Sequence, residues 1–185
     1  MIRTVDTQII TENIKEMCIE ANHYLSKDMD IAMKQAVETE GWKYIYGHAR
    51  WKETDCVGLP KYVLEWYYSH KSFKKLYQIT KGENKGEILN QVKDLAVYGM
   101  QNGETFDITD WNDIPIGAAV FKYDPTNPDA TKENKGWLHV GVYIGITEEY
   151  GYTIAAAASK KDGVGYFPLT DEYTKWGYFN GVSYD

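Results

Sequence analysis

Two residues of this chain have the type and setting for acyl-transfer chemistry: Cys56 and His139. Asp55-Cys56 opens a stretch that reads as an amphipathic helix reaching to about Tyr68, so the thiol is predicted at a helix N-terminus. There the unpaired backbone N–H groups and the positive end of the macrodipole favour thiolate, which is the nucleophile. His139 lies in Trp137–Gly145, WLHVGVYIG. Period-two alternation puts His139, Gly141, Tyr143 and Gly145 on one face of a strand and Val140, Val142 and Ile144 on the other. The valine face suits a core, whereas the glycines beside His139 let a ligand backbone come close. An imidazole so placed can accept a thiol proton, stabilise the thiolate and protonate a leaving amine. Each residue also has a plainer reading. A helix-start cysteine packs as a small hydrophobe, and a strand histidine is satisfied by a backbone carbonyl.

The elements that must position these two residues follow from periodicity and turn chemistry. Gln8–Leu25 carries Ile10, Ile14, Met17, Cys18, Ala21 and Leu25 at helical spacing. A second helix is predicted over Asp30–Glu40, capped by Asp28 or Asp30 and closed by Gly41. Pro60 sits in the first turn of the cysteine helix, where it costs few internal hydrogen bonds. Ser69–Gly103 is polar and reads as largely helical, with a KGENKG turn inside it. Strands are predicted over Gly117–Tyr123, Trp137–Gly145, Tyr152–Ala158, Val164–Phe167 and Trp176–Ser183. Helices first and strands second give an α+β fold, with the cysteine helix packed on a central antiparallel sheet.

The length of 185 residues fits one domain over 1–185, with N-terminal helices in 1–41 and a helical insertion at 69–103. A net charge of −7 with no Lys/Arg cluster leaves nucleic acid without an electrostatic footprint. No run of about 18 apolar residues is present to span a membrane. The spacing of His23, His48, His70 and His139 suits no metal, and no phosphate-binding glycine loop occurs, so no cofactor is expected. MIRTVDTQIITENIKEM lacks the apolar core of a signal peptide. The two cysteines, Cys18 and Cys56, are not expected to pair. Most of the sixteen Tyr and six Trp are expected to fill core, with a surplus at a cleft rim where sugar stacking is an option.

Four blocks in order resemble the NlpC family of papain-like cell-wall cysteine peptidases. Tyr44-Ile45-Tyr46-Gly47-His48 followed by Asp55-Cys56-Val57-Gly58-Leu59 is similar to Y-x-x-G-G and D-C-S-G-L/F-V, with the family's spacing from tyrosine to cysteine. Pro115–Phe121 resembles P-G-D-L-V-F-F with one extra residue, and His139–Gly145 resembles H-V-G-I-Y-L-G. Ala157-Ala158-Ser159 with Gly163-Val164 resembles the final h-A-S…G-V block. The resemblance covers residues 42 to about 182.

It implies Cys56 as nucleophile, His139 as base, and Tyr44 in the cleft helping the Cys56 backbone N–H hold the oxyanion. Asp55 is expected to cap the helix. It also implies a peptidoglycan stem peptide as partner, cleaved between a γ-linked D-glutamyl residue and the next diamino acid. Action on the bacterial wall is then expected after cytoplasmic synthesis and release by lysis or delivery, as for a phage or prophage lysin. The alternatives are an N-acetylmuramoyl-L-alanine amidase of similar fold and a degenerate, wall-binding homologue. Three positions depart from the pattern. Val57 replaces the serine after the nucleophile, and His48 replaces the second glycine. Ala157 stands where a polar residue should orient the base, leaving Thr153 and Ser159 as polar candidates. Oligomeric state is not written in these residues. The Ser69–Gly103 and Asp124–Gly136 insertions are candidates to flank the cleft.

Overall fold

The architecture is set by three helical stripes that need one apolar surface to cover. The first helix, α1 (Ser26–Glu38), buries Met29, Ala32, Met33 and Ala36, an i, i+3, i+4, i+7 stripe. The cysteine helix, α2 (Gly58–Tyr67), buries Leu59, Val63 and Leu64, and α3 (Val92–Tyr98) buries Val92, Leu95 and Ala96. Each fully buried Leu or Met among these is worth about 1.5–3 kcal/mol. This computed structural model describes residues 24–67 and 75–184. Cys18 and most of the helix predicted over Gln8–Leu25 lie outside that range. Within it, Tyr24–Leu25 is a short strand, β1, and not the end of a helix.

The surface the helices cover is a six-stranded antiparallel sheet. Its strands are β5 (Phe106–Asp107), β6 (Ala119–Tyr123), β7 (Trp137–Thr147), β8 (Gly151–Ala158), β9 (Gly163–Pro168) and β10 (Tyr173–Gly177), in the order β5-β10-β6-β7-β8-β9. Alternation along β7 holds as read: Val140, Val142 and Ile144 join Ala119, Phe121, Ala155 and Ala157 against the helices. The opposite face carries Ala118, Val120, Tyr143, Ile154 and Tyr173, covered by Ile114 and Leu169. The fold is therefore α+β with the cysteine helix on the sheet. Among the described residues, no helix is long and apolar enough to cross a membrane.

Several expectations are corrected. α1 begins at Ser26, so neither Asp28 nor Asp30 is its cap; both lie inside the helix, and Asp30 pairs with Lys34 at 2.9 Å. Of the stretch predicted to be largely helical, residues 69–74 lie outside the described range; in 75–91 Gln78 bridges Ile88 across the turn that contains KGENKG, and the helix α3 follows. The last predicted strand is split into β10 and β11 (Val182–Ser183), the latter pairing in parallel with β1. Finally, the polar loop before Cys56 is itself a small sheet of β2 (Lys43–Tyr44), β3 (Ala49–Arg50) and β4 (Glu53–Thr54) in the order β2-β4-β3.

Candidate active site

Cys56 is held by the way its loop is tied to the start of α2. Asp55 is the clamp: the Gly58 N–H donates to its Oδ1 and the Gly47 N–H to its Oδ2, both at 2.7 Å. The first bond caps α2 and the second fixes the turn after Tyr44, which Gly47 makes at φ +79°. The His48 carbonyl accepts from the Asp55 N–H at 3.2 Å. It lies so close to Gly58 that a side chain there would run into it. Glycine at position 58 is thus a packing requirement of the loop. His48 itself turns outward to Glu53 (3.3 Å) and Arg50 (3.1 Å) and takes no part in the cleft around Cys56.

The thiol lies against the backbone amides of Val140 and Val57 and is 9% exposed. Its surroundings do not acidify it. Burial first, and the Asp55 carboxylate second, push it up to about 12, against backbone hydrogen bonding that favours thiolate. This overturns the expectation of a helix-activated thiolate, and the reason is local. α2 starts two residues beyond Cys56, and the carboxylate that caps it sets a negative charge beside the sulfur.

Tyr44 is half-buried and shares a cleft of about 240 Å³ with Cys56, Tyr46 and Asp55. Burial and then the neighbouring Cys56 and Asp55 push its phenol up to about 12, so it remains an O–H donor at neutral pH. Both insertions wall this cleft: Asn90, Gln91, Val92 and Lys93 on one side, and Thr131, Glu133 and Asn134 beside Trp137 and Leu138 on the other. Beneath the first wall Lys61 is buried on α2 and donates its ammonium to the Leu89 carbonyl. A second hollow of about 520 Å³ shares Lys93 and Trp137 with the cleft and is also lined by Lys81, Lys135, Glu83 and Asp94.

His139 immediately precedes Val140, whose backbone meets the thiol. No hydrogen bond joins thiol and imidazole in this arrangement. Its ring centroid is 6.3 Å from that of Tyr173 at 63°, and Lys122 is its register partner on β6. Burial, then the Lys122 ammonium, lower the imidazole to about 4. Burial thus holds both the Cys56 thiol and the His139 imidazole in their neutral forms at pH 7.

The depressed imidazole has a consequence for stability. Between pH 6.5 and about 4 the unfolded chain binds a proton at His139 that the folded chain refuses, so stability is lost as pH falls through that window. Denaturant titrations at pH 7 and pH 4.5 are expected to show a drop about 2 kcal/mol larger in the wild type than in His139→Gln. Equal drops would contradict the burial of this ring.

Of the candidates to orient His139, Thr153 is misplaced. Its hydroxyl bonds Thr147 (2.7 Å) and the Gly151 carbonyl (2.8 Å), and its register partner on β7 is Gly145, six residues from His139. At about 3.3 Å per residue that is the wrong end of the strand. Ser159 is at the correct end of β8 but exposed, and its side chain makes no hydrogen bond to His139. Ala157 is fully buried against the helices. The residues that do surround His139, Lys122 and Tyr173, escaped the sequence reading. The alternation in DEYTKWGY could have extended the last strand back to Tyr173. Among the described residues, no three His, Cys, Asp or Glu side chains converge as metal ligands.

No protein-family model matches the chain, and no curated protein does. Among solved structures it is similar to NlpC2 from Trichomonas vaginalis, with 17% identity and a TM-score of 0.50 over 83% of this chain and 46% of that one. NlpC1 from the same organism gives 19% identity and a TM-score of 0.50 over 83% and 44%. An N-acetylmuramoyl-L-alanine amidase from Bacteroides uniformis is 13% identical with a TM-score of 0.47 over 82% of this chain and 96% of that one. The chain therefore spans less than half the length of the NlpC proteins it resembles. What it shares with them is the fold: an NlpC-like, papain-type α+β arrangement of helices on a large antiparallel sheet.

Proposed function

We propose that this chain is a cysteine endopeptidase that hydrolyses an amide bond in peptidoglycan stem peptides. The observation that carries the reading is the Cys56 thiol beside Tyr44 in a cleft walled by both insertions, against the backbone next to His139. The Cys56 sulfur attacks the scissile carbonyl while its proton passes to His139, and the imidazolium returns that proton to the departing amine. The backbone next to His139 already meets the sulfur at Val140, and catalytic hydrogen bonds commonly tighten only in the Michaelis complex. The Cys56 N–H and the protonated Tyr44 hydroxyl are the donors for the oxyanion. Water then resolves the acyl-enzyme. The bond we assign is the one between the γ-linked D-glutamyl residue and the following diamino acid. Lys81, Lys93 and Lys135, interleaved with Glu83 and Asp94 around the neighbouring hollow, offer partners for both the carboxylates and the amine of such a peptide. The site of action is the bacterial wall.

Two other readings are separated by one digest. An amidase of the same fold uses the same pair on the muramoyl–alanine bond. A binding protein without turnover is favoured by Ala157 and by the missing thiol–imidazole hydrogen bond. Disaccharide-peptide fragments incubated with the protein and analysed by mass spectrometry are expected to yield a truncated stem still on its sugar, plus a peptide with a new diamino-acid amine. Release of the whole stem would assign the amidase. Retained binding with no product would assign the binding protein.

A further inference from the structure

The polar orienter expected at position 157 is absent, yet His139 is not left loose. Tyr173, Lys122 and His139 are register partners across the adjacent strands β10, β6 and β7, a single cross-strand row on one sheet face. Tyr173 is 5% exposed, and its ring meets the His139 ring edge-on at 6.3 Å. Lys122 extends over the Tyr173 ring at 5.2 Å from its centroid while its ammonium pairs with Glu172 at 2.8 Å. Among the described residues the Tyr173 hydroxyl has no hydrogen-bond partner, so the contact that reaches His139 is made by the ring. Tyr173 also lies within electrostatic reach of Cys56. Tyr173 thus packs against the imidazole and also senses the sulfur.

We propose that Tyr173 is the positioning residue for His139. Clamped by the Lys122–Glu172 pair, its ring fixes the plane of the imidazole by edge-to-face packing, replacing the hydrogen bond that a polar residue at position 157 would have made. The role rests on His139 acting as the base in the reading above, and Tyr173 acts only through it. The charged and titratable groups of this row are Lys122 from β6 and Tyr173 from β10, with Glu172 just before β10 and Cys56 from the loop before α2 within electrostatic reach of Tyr173.

The test compares Tyr173→Phe with Tyr173→Leu by kinetics on stem-peptide fragments and by NMR of the His139 imidazole. Phenylalanine keeps the ring, so kcat within about threefold of wild type and an unchanged ring-current shift at His139 are expected. Leucine removes the ring: kcat is expected to fall about 10- to 100-fold with KM little changed. The His139 titration midpoint should then move up toward 6.5, as water reaches the imidazole. A Tyr173→Phe loss as large as that of Tyr173→Leu would place the role on the hydroxyl and overturn the proposal. So would a Tyr173→Leu protein with wild-type kcat and His139 signals. If Tyr173→Leu does not fold, Lys122→Met releases the clamp from the surface. Loss of the His139 ring-current shift with lower kcat supports the proposal, and retention of both overturns it. The NMR readout needs no turnover, so a chain that hydrolyses nothing but shows these shifts would fail the functional reading and leave the positioning of His139 intact.

Discussion

Gly58→Ala is expected to destabilise the protein by about 3 kcal/mol, near the upper end of what overpacking a tight site costs. For a chain of this size that is a fall in Tm of roughly 6–12 °C by differential scanning calorimetry. The added Cβ would run into the His48 carbonyl and come to 2.7 Å from Thr54 Oγ1. Neither neighbour can yield cheaply. The His48 carbonyl accepts from the Asp55 N–H, and Asp55 in turn caps α2 through the Gly58 N–H and holds Gly47. Displacing the carbonyl therefore shifts the same clamp that places the Cys56 sulfur, and activity is expected to fall along with stability. A Gly58→Ala variant with wild-type Tm would show that the loop before α2 packs differently.

His139→Ala is expected to lower kcat by about 10²- to 10⁴-fold, the usual contribution of a positioned general base, with little change in KM. The pH profile carries the sharper signature. A base held near pKa 4 by burial and Lys122 remains neutral down to that pH, so the acid limb of kcat/KM in the wild type should lie near 4 and not near 6.5. That limb should be absent from the residual activity of the variant. A limb near 6.5 in the wild type would mean that the working imidazole is solvated.

The larger strands and the two candidate residues were legible in the sequence because alternation over long runs is a strong signal. Val140, Val142 and Ile144 face the helices as their spacing requires. The small sheet before Cys56 was not legible, since two-residue strands carry no period. The KGENKG turn was legible from its glycines, but the Gln78–Ile88 bridge flanking it was not, because the neighbouring residues are polar and lack β-branched alternation. The electrostatics were the least accessible part. A helix N-terminus after Cys56 suggested an acidic thiol, but burial and a capping carboxylate act the other way, and both are products of the tertiary packing. Likewise no motif links Tyr173 to His139; two strand pairings bring them together.

The central claim is that the Cys56 sulfur attacks a stem-peptide amide. The direct measurement is a paired digest of disaccharide-peptide fragments by the wild type and by Cys56→Ala, with circular dichroism confirming that both are folded. The wild type should release the diamino-acid peptide, and Cys56→Ala should lose that activity by a factor on the order of 10⁴ or more, as when a catalytic nucleophile is removed. The same product appearing at an undiminished rate from Cys56→Ala would contradict the account.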